Sequence, residues 1–173
     1  MIDLSSLGSD CESSLNKNLE NVDLTGKKQL KKKYKVTSDT ELAELLPQFE
    51  QIYQPWISEK DWLQCQLAVA EGFTNAVEHA HKNLPPTTTI DIEVIITKKR
   101  MEIRIFDYGP GFDLEEYIKQ LKKRNEENCE RGRGIPILLK IANHLSYERT
   151  NDNQRNCLLI IKEFTHTKTE SNP

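Results

Sequence analysis

The chain lacks the features that define several large functional classes. No apolar run approaches the roughly 20 residues that span a bilayer, and its polar, Ser- and Asn-rich start has neither the basic nor the apolar region of a signal peptide. A cytoplasmic protein without membrane contact is the expectation. The four cysteines, Cys11, Cys65, Cys129 and Cys157, show no CxxC spacing and no accompanying Cys/His cluster, which argues against zinc and for reduced thiols. The four histidines, His79, His81, His144 and His166, are dispersed too, and none is paired with a Ser or Cys nucleophile motif. Two phosphate-binding signatures are missing: GxxxxGK followed by Ser or Thr, and the strand-linked GxGxxG turn. At a net charge of -3, with 36% hydrophobic and 29% charged residues, the balance is not that of a nucleic-acid-binding protein.

What remains is a chain of 173 residues, enough for one domain with a real core and loose ends. Residues 1–28 have isolated leucines and no sustained period, and read as a flexible arm. One domain is expected over 29–164, then a frayed tail over 165–173. Lysines 31, 32, 33 and 35 surround Tyr34 and Val36, which suits a solvated edge strand better than a nucleic-acid patch. Ser38-Asp-Thr-Glu41 and Ser58-Glu-Lys-Asp61 resemble capping boxes. They predict one helix from about 39 to the region before Pro55 and a longer one reaching about His81.

Ile90, Ile92, Val94 and Ile96 keep a period of two within a strand over 88–97, which Lys98-Lys99-Arg100 connects to a second strand over 101–107. A helix over 113–123, a mobile loop over 124–133, a helix from Gly134, and strands over 146–150 and 156–164 complete the pattern. This order predicts an α+β two-layer sandwich, with a mainly antiparallel mixed sheet covered on one face by helices.

Three short stretches carry chemistry. On the helix through 62–81, Leu63, Val69, Phe73, Ala76, Val77 and Ala80 are assigned to the sheet side, and Glu71, Asn75 and Glu78 to the other. An aligned carboxylate and amide can hold a hard cation and orient a hydroxyl, although a solvated face has the same composition. Asp107-Tyr-Gly109-Pro-Gly111 ends a strand with a carboxylate able to accept from an exocyclic amine, beside glycines that allow close backbone approach. A turn closing a strand also fits. Arg131-Gly132-Arg133-Gly134 opens an apolar helix, where backbone amides, the helix dipole and two guanidiniums suit a phosphate, or the stretch is a simple loop entering a helix.

Taken together, the three stretches resemble the boxes of the GHKL ATPase superfamily of gyrase, heat-shock chaperone, histidine kinase and MutL, which shares the Bergerat ATP-binding fold. Glu71-xxx-Asn75 is similar to its N box, Asp107-x-Gly109-x-Gly111 to its first glycine box, and Gly132-x-Gly134 to its second. The resemblance covers about residues 30–164. Within the superfamily the chain looks most like the bacterial anti-sigma factor serine/threonine kinases.

That resemblance implies ATP and Mg2+ as cofactors, with Asn75 on the metal and Glu71 as general base. Asp107 would meet the adenine amine and Gly109 and Gly111 would form the adenine-side wall. Arg131, Gly132, Arg133 and Gly134 would meet the phosphates. It also implies a sigma factor and a STAS-domain anti-anti-sigma protein as partners, and a homodimer by analogy. A non-catalytic nucleotide-dependent binding module and a histidine-kinase ATP-binding domain are the alternatives. One departure stands out: where the family's last strand carries a Gly-Thr pair near the adenine, this chain has Asn156-Cys157. Cys157 approximates the small side chain there but is a poor hydrogen-bond substitute.

Overall fold

Strict alternation of buried and half-buried residues builds the sheet. Along Thr89–Ile96 every second residue is buried, and Arg100–Asp107 and Asn156–Glu163 repeat the pattern. The computed structural model describes residues 19–22, 28–123, 133–150 and 152–165. Among these, the strands are β1 (Leu19–Val22), β2 (Lys28–Thr37), β3 (Thr89–Ile96), β4 (Arg100–Asp107), β5 (His144–Arg149) and β6 (Asn156–Glu163). They form one sheet in the order β1-β2-β3-β4-β6-β5, in which every pairing is antiparallel. No parallel pair occurs among the described residues.

The helices are α1 (Leu42–Glu50), α2 (Glu59–Asn75), α3 (Leu114–Lys123) and α4 (Gly134–Ile141). One face of the sheet carries Ile90, Ile92, Val94, Met101, Ile103, Ile105 and Ile160, all buried in a core shared with Phe49, Val69, Phe73 and Leu138 from the helices. The expected α+β two-layer sandwich is what the chain forms. Burial of each large apolar side chain in that core contributes about 1.5–3 kcal/mol before conformational entropy is counted.

Of the two capping boxes, one forms. Ser58 accepts from the Asp61 amide at 3.1 Å and starts α2. Ser38 does not cap α1, which begins at Leu42 behind Glu41. The Ser38 hydroxyl is taken by His81 instead, at 2.7 Å, so a tertiary contact outcompetes the local cap.

The sheet-facing side of α2 is also rotated from the expectation. Leu63 is 56% exposed, while Trp62, Cys65, Ala68, Val69, Gly72, Phe73 and Ala76 are buried. Leu63 lies about 100° away from Val69 and Phe73 at 100° per residue, too far to share their stripe.

β1 lies within the segment read as an arm and covers β2 over Lys28–Lys31; beyond that point β2 has no outer neighbour among the described residues. The expected loop over 124–133, except Arg133, lies outside the described residues, as does most of the tail.

Candidate functional site

Register assembles one end of the site. Asp107 is the last residue of β4, Asn156 lies opposite it on β6, and Arg149 opposite Asn156 on β5. Three neighbouring strands therefore bring three polar side chains to one place, with Asp107 and Asn156 each 2% exposed. Asn156 Nδ2 donates to Asp107 Oδ1 at 2.8 Å and to the Gly109 carbonyl at 3.0 Å. Arg149 Nη1 donates to Asn156 Oδ1 at 3.0 Å and to the same carbonyl at 3.1 Å. The Gly109 amide and the Tyr147 hydroxyl complete the shell, donating to Asp107 at 2.9 Å each, on Oδ1 and Oδ2 respectively. Burial, reinforced by the Asp107 charge and hydrogen bond, pushes the Tyr147 phenol well above its ordinary range, so it stays a donor.

The turn after Asp107 fits tightly against the end of α2. That helix continues as a π-helical turn over Ala76–Ala80, closed by the His81 amide on the Ala76 carbonyl at 2.8 Å; such turns recur at functional sites. A Cβ on Gly109 would lie 2.6 Å from the Ala80 carbonyl oxygen, so only glycine fits. Gly111 has φ +77°, the left-handed region that glycine enters without strain.

His81, 3% exposed, braces the same turn by accepting from the Tyr108 amide through Nε2 at 2.9 Å. The hydrogen therefore sits on Nδ1, which donates to Ser38. Burial lowers the His81 pKa, opposed by the Asp107 charge, and the neutral ring is the form this geometry needs.

Between the turn, α2 and β6 lies a cavity of about 360 Å3. Its floor is apolar, with Ile105, Ile135 and Leu158, and one flank is aromatic. There Phe112 stacks on Tyr147 at 4.8 Å and meets Tyr117 edge-on at 6.0 Å. Asp107 is the carboxylate in this lining, and Asn75 its amide on the α2 side. An apolar slot with one convergent acid suits a flat heterocycle bearing an amine.

The second glycine box reaches the N box at the other end. A Cβ on Gly134, the first residue of α4, would lie 2.9 Å from Asn75 Oδ1 and 3.0 Å from Glu71 Oε2. The structure thus joins Glu71, Asn75 and Gly134 at one point, and Asp107, Gly109 and Gly111 at the other. Arg133 stands at the N-cap of α4, whereas Arg131 and Gly132 lie outside the described residues. Among the described residues Asn75 Nδ2 is buried without a hydrogen-bond partner, an open donor position beside the start of α4.

Among the described residues no three His, Cys, Asp or Glu side chains cluster to hold a metal. A hard cation here would need oxygens from a ligand as well as from the protein.

A pocket suited to a nucleotide, on the fold of an ATPase domain, is what this geometry presents. The sequence profile of the histidine kinase-like ATPase domain matches residues 38–162, and the chain belongs to that family. It is similar to the serine-protein kinase RsbW of Bacillus licheniformis, at 33% identity over 63 residues, covering 36% of this chain and 39% of that protein. It is likewise similar to the serine-protein kinase RsbW of Listeria monocytogenes serotype 4a, at 40% identity over 50 residues, 29% of this chain and 31% of the relative. The matched stretch therefore spans well under half of each relative.

Four residues of the site have no motif of their own in the sequence: Tyr147, Arg149, His81 and Phe112. Asn156 stands out there only as a departure from the family pattern, with Cys157 as the small side chain expected near the base. The pleat decides otherwise. Asn156 points to Asp107, while Cys157 is on the opposite face among Arg104, Glu93, Arg155 and Glu148, with burial the main cause of its raised pKa.

Proposed function

We propose that the chain is a Mg-ATP-dependent protein serine/threonine kinase and anti-sigma factor, which phosphorylates a STAS-domain anti-anti-sigma protein and sequesters a sigma factor. The observation that carries the reading is how tightly Gly134 packs on Glu71 and Asn75, since a Cβ added there would stand only about 3 Å from both side chains. A site that only held a base would have no need for a carboxylate and an amide beside the phosphate end. Family membership supports ATP as the ligand, and the kinase names of the relatives support a hydroxyl as the acceptor.

In this reading Asp107 accepts the adenine amine. The turn through Gly109 and Gly111 forms the adjoining wall, and the start of α4 with Arg131, Gly132, Arg133 and Gly134 meets the phosphates. The Asn75 amide oxygen would hold Mg2+ together with phosphate oxygens. When bound, the ion neutralises charge on the transferring phosphoryl group. Glu71 takes the proton of the attacking Ser or Thr hydroxyl as its oxygen bonds to the γ-phosphorus and the bond to the ADP oxygen breaks. Positioning and charge supply the rest of the rate.

A non-catalytic binding module is the alternative that Asn156-Cys157 raises. Asn156 makes the hydrogen bond to Asp107 itself, so that departure does not favour it.

The test is transfer of labelled phosphate from ATP with Mg2+ to a panel of STAS-domain proteins. The expected result is a phosphorylated Ser or Thr, with transfer reduced about 10²- to 10⁴-fold by Glu71→Gln while ADP affinity is kept. Full transfer by the variant would remove Glu71 from the role of base.

A further inference from the structure

The two oxygens of Asp107 are unequally engaged. Oδ1 accepts from the Gly109 amide at 2.9 Å and Asn156 Nδ2 at 2.8 Å, while the Tyr147 hydroxyl, 3.2 Å from it, directs its one proton to the nearer Oδ2. Among the described residues Oδ2 accepts from Tyr147 alone, at 2.9 Å. A carboxylate oxygen offers about two lone-pair sites, so Oδ1 is filled and Oδ2 keeps one place open. Asn156 cannot turn its amide away, because Arg149 donates to its oxygen at 3.0 Å while its nitrogen is spent on Asp107 and Gly109. Gly111 leaves just the room it needs: a Cβ there would stand 3.0 Å from Asn156 Oδ1. Tyr147 is held by its stacking on Phe112.

We propose that Tyr147 and Asn156 are positioning residues that set base specificity, by making Asp107 an acceptor for one donor only. Adenine offers a single exocyclic amine at its 6-position, and one free lone-pair site on Oδ2 accommodates it. Guanine offers an adjacent ring N–H and exocyclic amine, a pair that a carboxylate accepts with both oxygens, and its 6-oxygen is itself an acceptor. With Oδ1 occupied, the paired mode is closed and the 6-oxygen is repelled. A buried polar group left without its partner discriminates far more strongly than shape alone. The inference rests on reading the cavity as a nucleotide site, and it assigns specificity to two residues outside the three glycine and N-box stretches.

Calorimetric titration of the full chain with ADP and with GDP, each with Mg2+, tests it. Wild-type protein should favour ADP by tenfold or more, roughly one well-made hydrogen bond. Tyr147→Phe keeps the ring and its stacking while freeing a second site on Oδ2, and Asn156→Ala frees one on Oδ1, with the Gly109 amide still in place. Each should narrow the ADP-to-GDP preference, and together they should narrow it about tenfold, partly through tighter GDP binding. A merely structural role would weaken both nucleotides alike and leave the ratio untouched; an unchanged ratio in folded variants, checked by thermal melting, overturns the proposal. Equal wild-type affinity for ADP and GDP overturns it too, yet leaves the nucleotide site standing. Binding of neither would overturn the nucleotide reading along with it.

Discussion

Two aspartates are buried in this protein to nearly the same degree, Asp61 at 1% exposure and Asp107 at 2%, and they serve opposite ends. Asp61, in the first turn of α2, accepts from the Ser58 hydroxyl at 2.8 Å and from the Thr165 amide and hydroxyl at 2.8 and 2.7 Å. Lys162 stands 3.1 Å from its other oxygen. Burial would raise its pKa, but the hydrogen bonds from Thr165, Ser58 and Lys162 prevail and hold it at about 2. Asp107 collects as many neutral donors and, among the described residues, no direct cation, its arginine standing one residue away behind Asn156.

Burial and hydrogen bonding alone therefore do not separate these two acids. What differs is the last neighbour. Asp61 meets a lysine and staples the end of β6 to the start of α2; Asp107 lines a cavity, where the proposed reading gives its remaining lone pair to the adenine amine.

Exchanging these roles by mutation separates them. Asp61→Ala leaves the buried Lys162 charge unpaired and should lower unfolding free energy by about 3–5 kcal/mol, read by denaturant titration, with ADP affinity unchanged in the folded protein. A loss of ADP affinity in that variant would mean the two ends are coupled.

Acid should reveal the same division, with a smaller effect. A carboxyl whose pKa falls from 3.8 unfolded to about 2 folded contributes stability above about pH 4, and this is lost as pH falls toward 2. The Asp61 share is on the order of 2 kcal/mol. His81 follows the same sign from a higher starting point. Its folded pKa lies below the ordinary 6.5, so its contribution is complete above 6.5 and declines as pH falls through the lower folded value. Protonation there sets two donors, Nε2–H and the Tyr108 amide, against each other. Melting curves from pH 8 to 3 should show a first decline beginning below about pH 6.5, absent in a His81→Gln variant.

Patterns confined to one element are legible in the sequence alone. The β3 alternation, the Ser58 cap and the helix opened by Gly134 all depend on neighbours within a few residues, and each appears where its residues predict. Spacing also singles out Glu71, Asn75, Asp107 and the glycines, because each stretch is contiguous in the chain. Residues whose meaning comes from register are not legible in this way. Asn156 and Arg149 matter because strands 49 and 40 positions further along the chain bring them to Asp107 and Gly109. Ser38 fails as a cap because a histidine 43 residues away takes its hydroxyl. Periodicity on α2 misassigns Leu63 through angular drift, a geometric error that the buried Trp62 beside it corrects.

Calorimetric titration of Mg-ADP into wild-type protein and Asp107→Asn tests the account at its centre. The cavity acid is predicted to carry the base contact, so the variant should bind about 10- to 100-fold more weakly, the loss of one charge-assisted hydrogen bond. Its melting temperature should fall far less than that of Asp61→Ala. Wild-type affinity in a folded Asp107→Asn protein would contradict the assignment of this pocket to the adenine base.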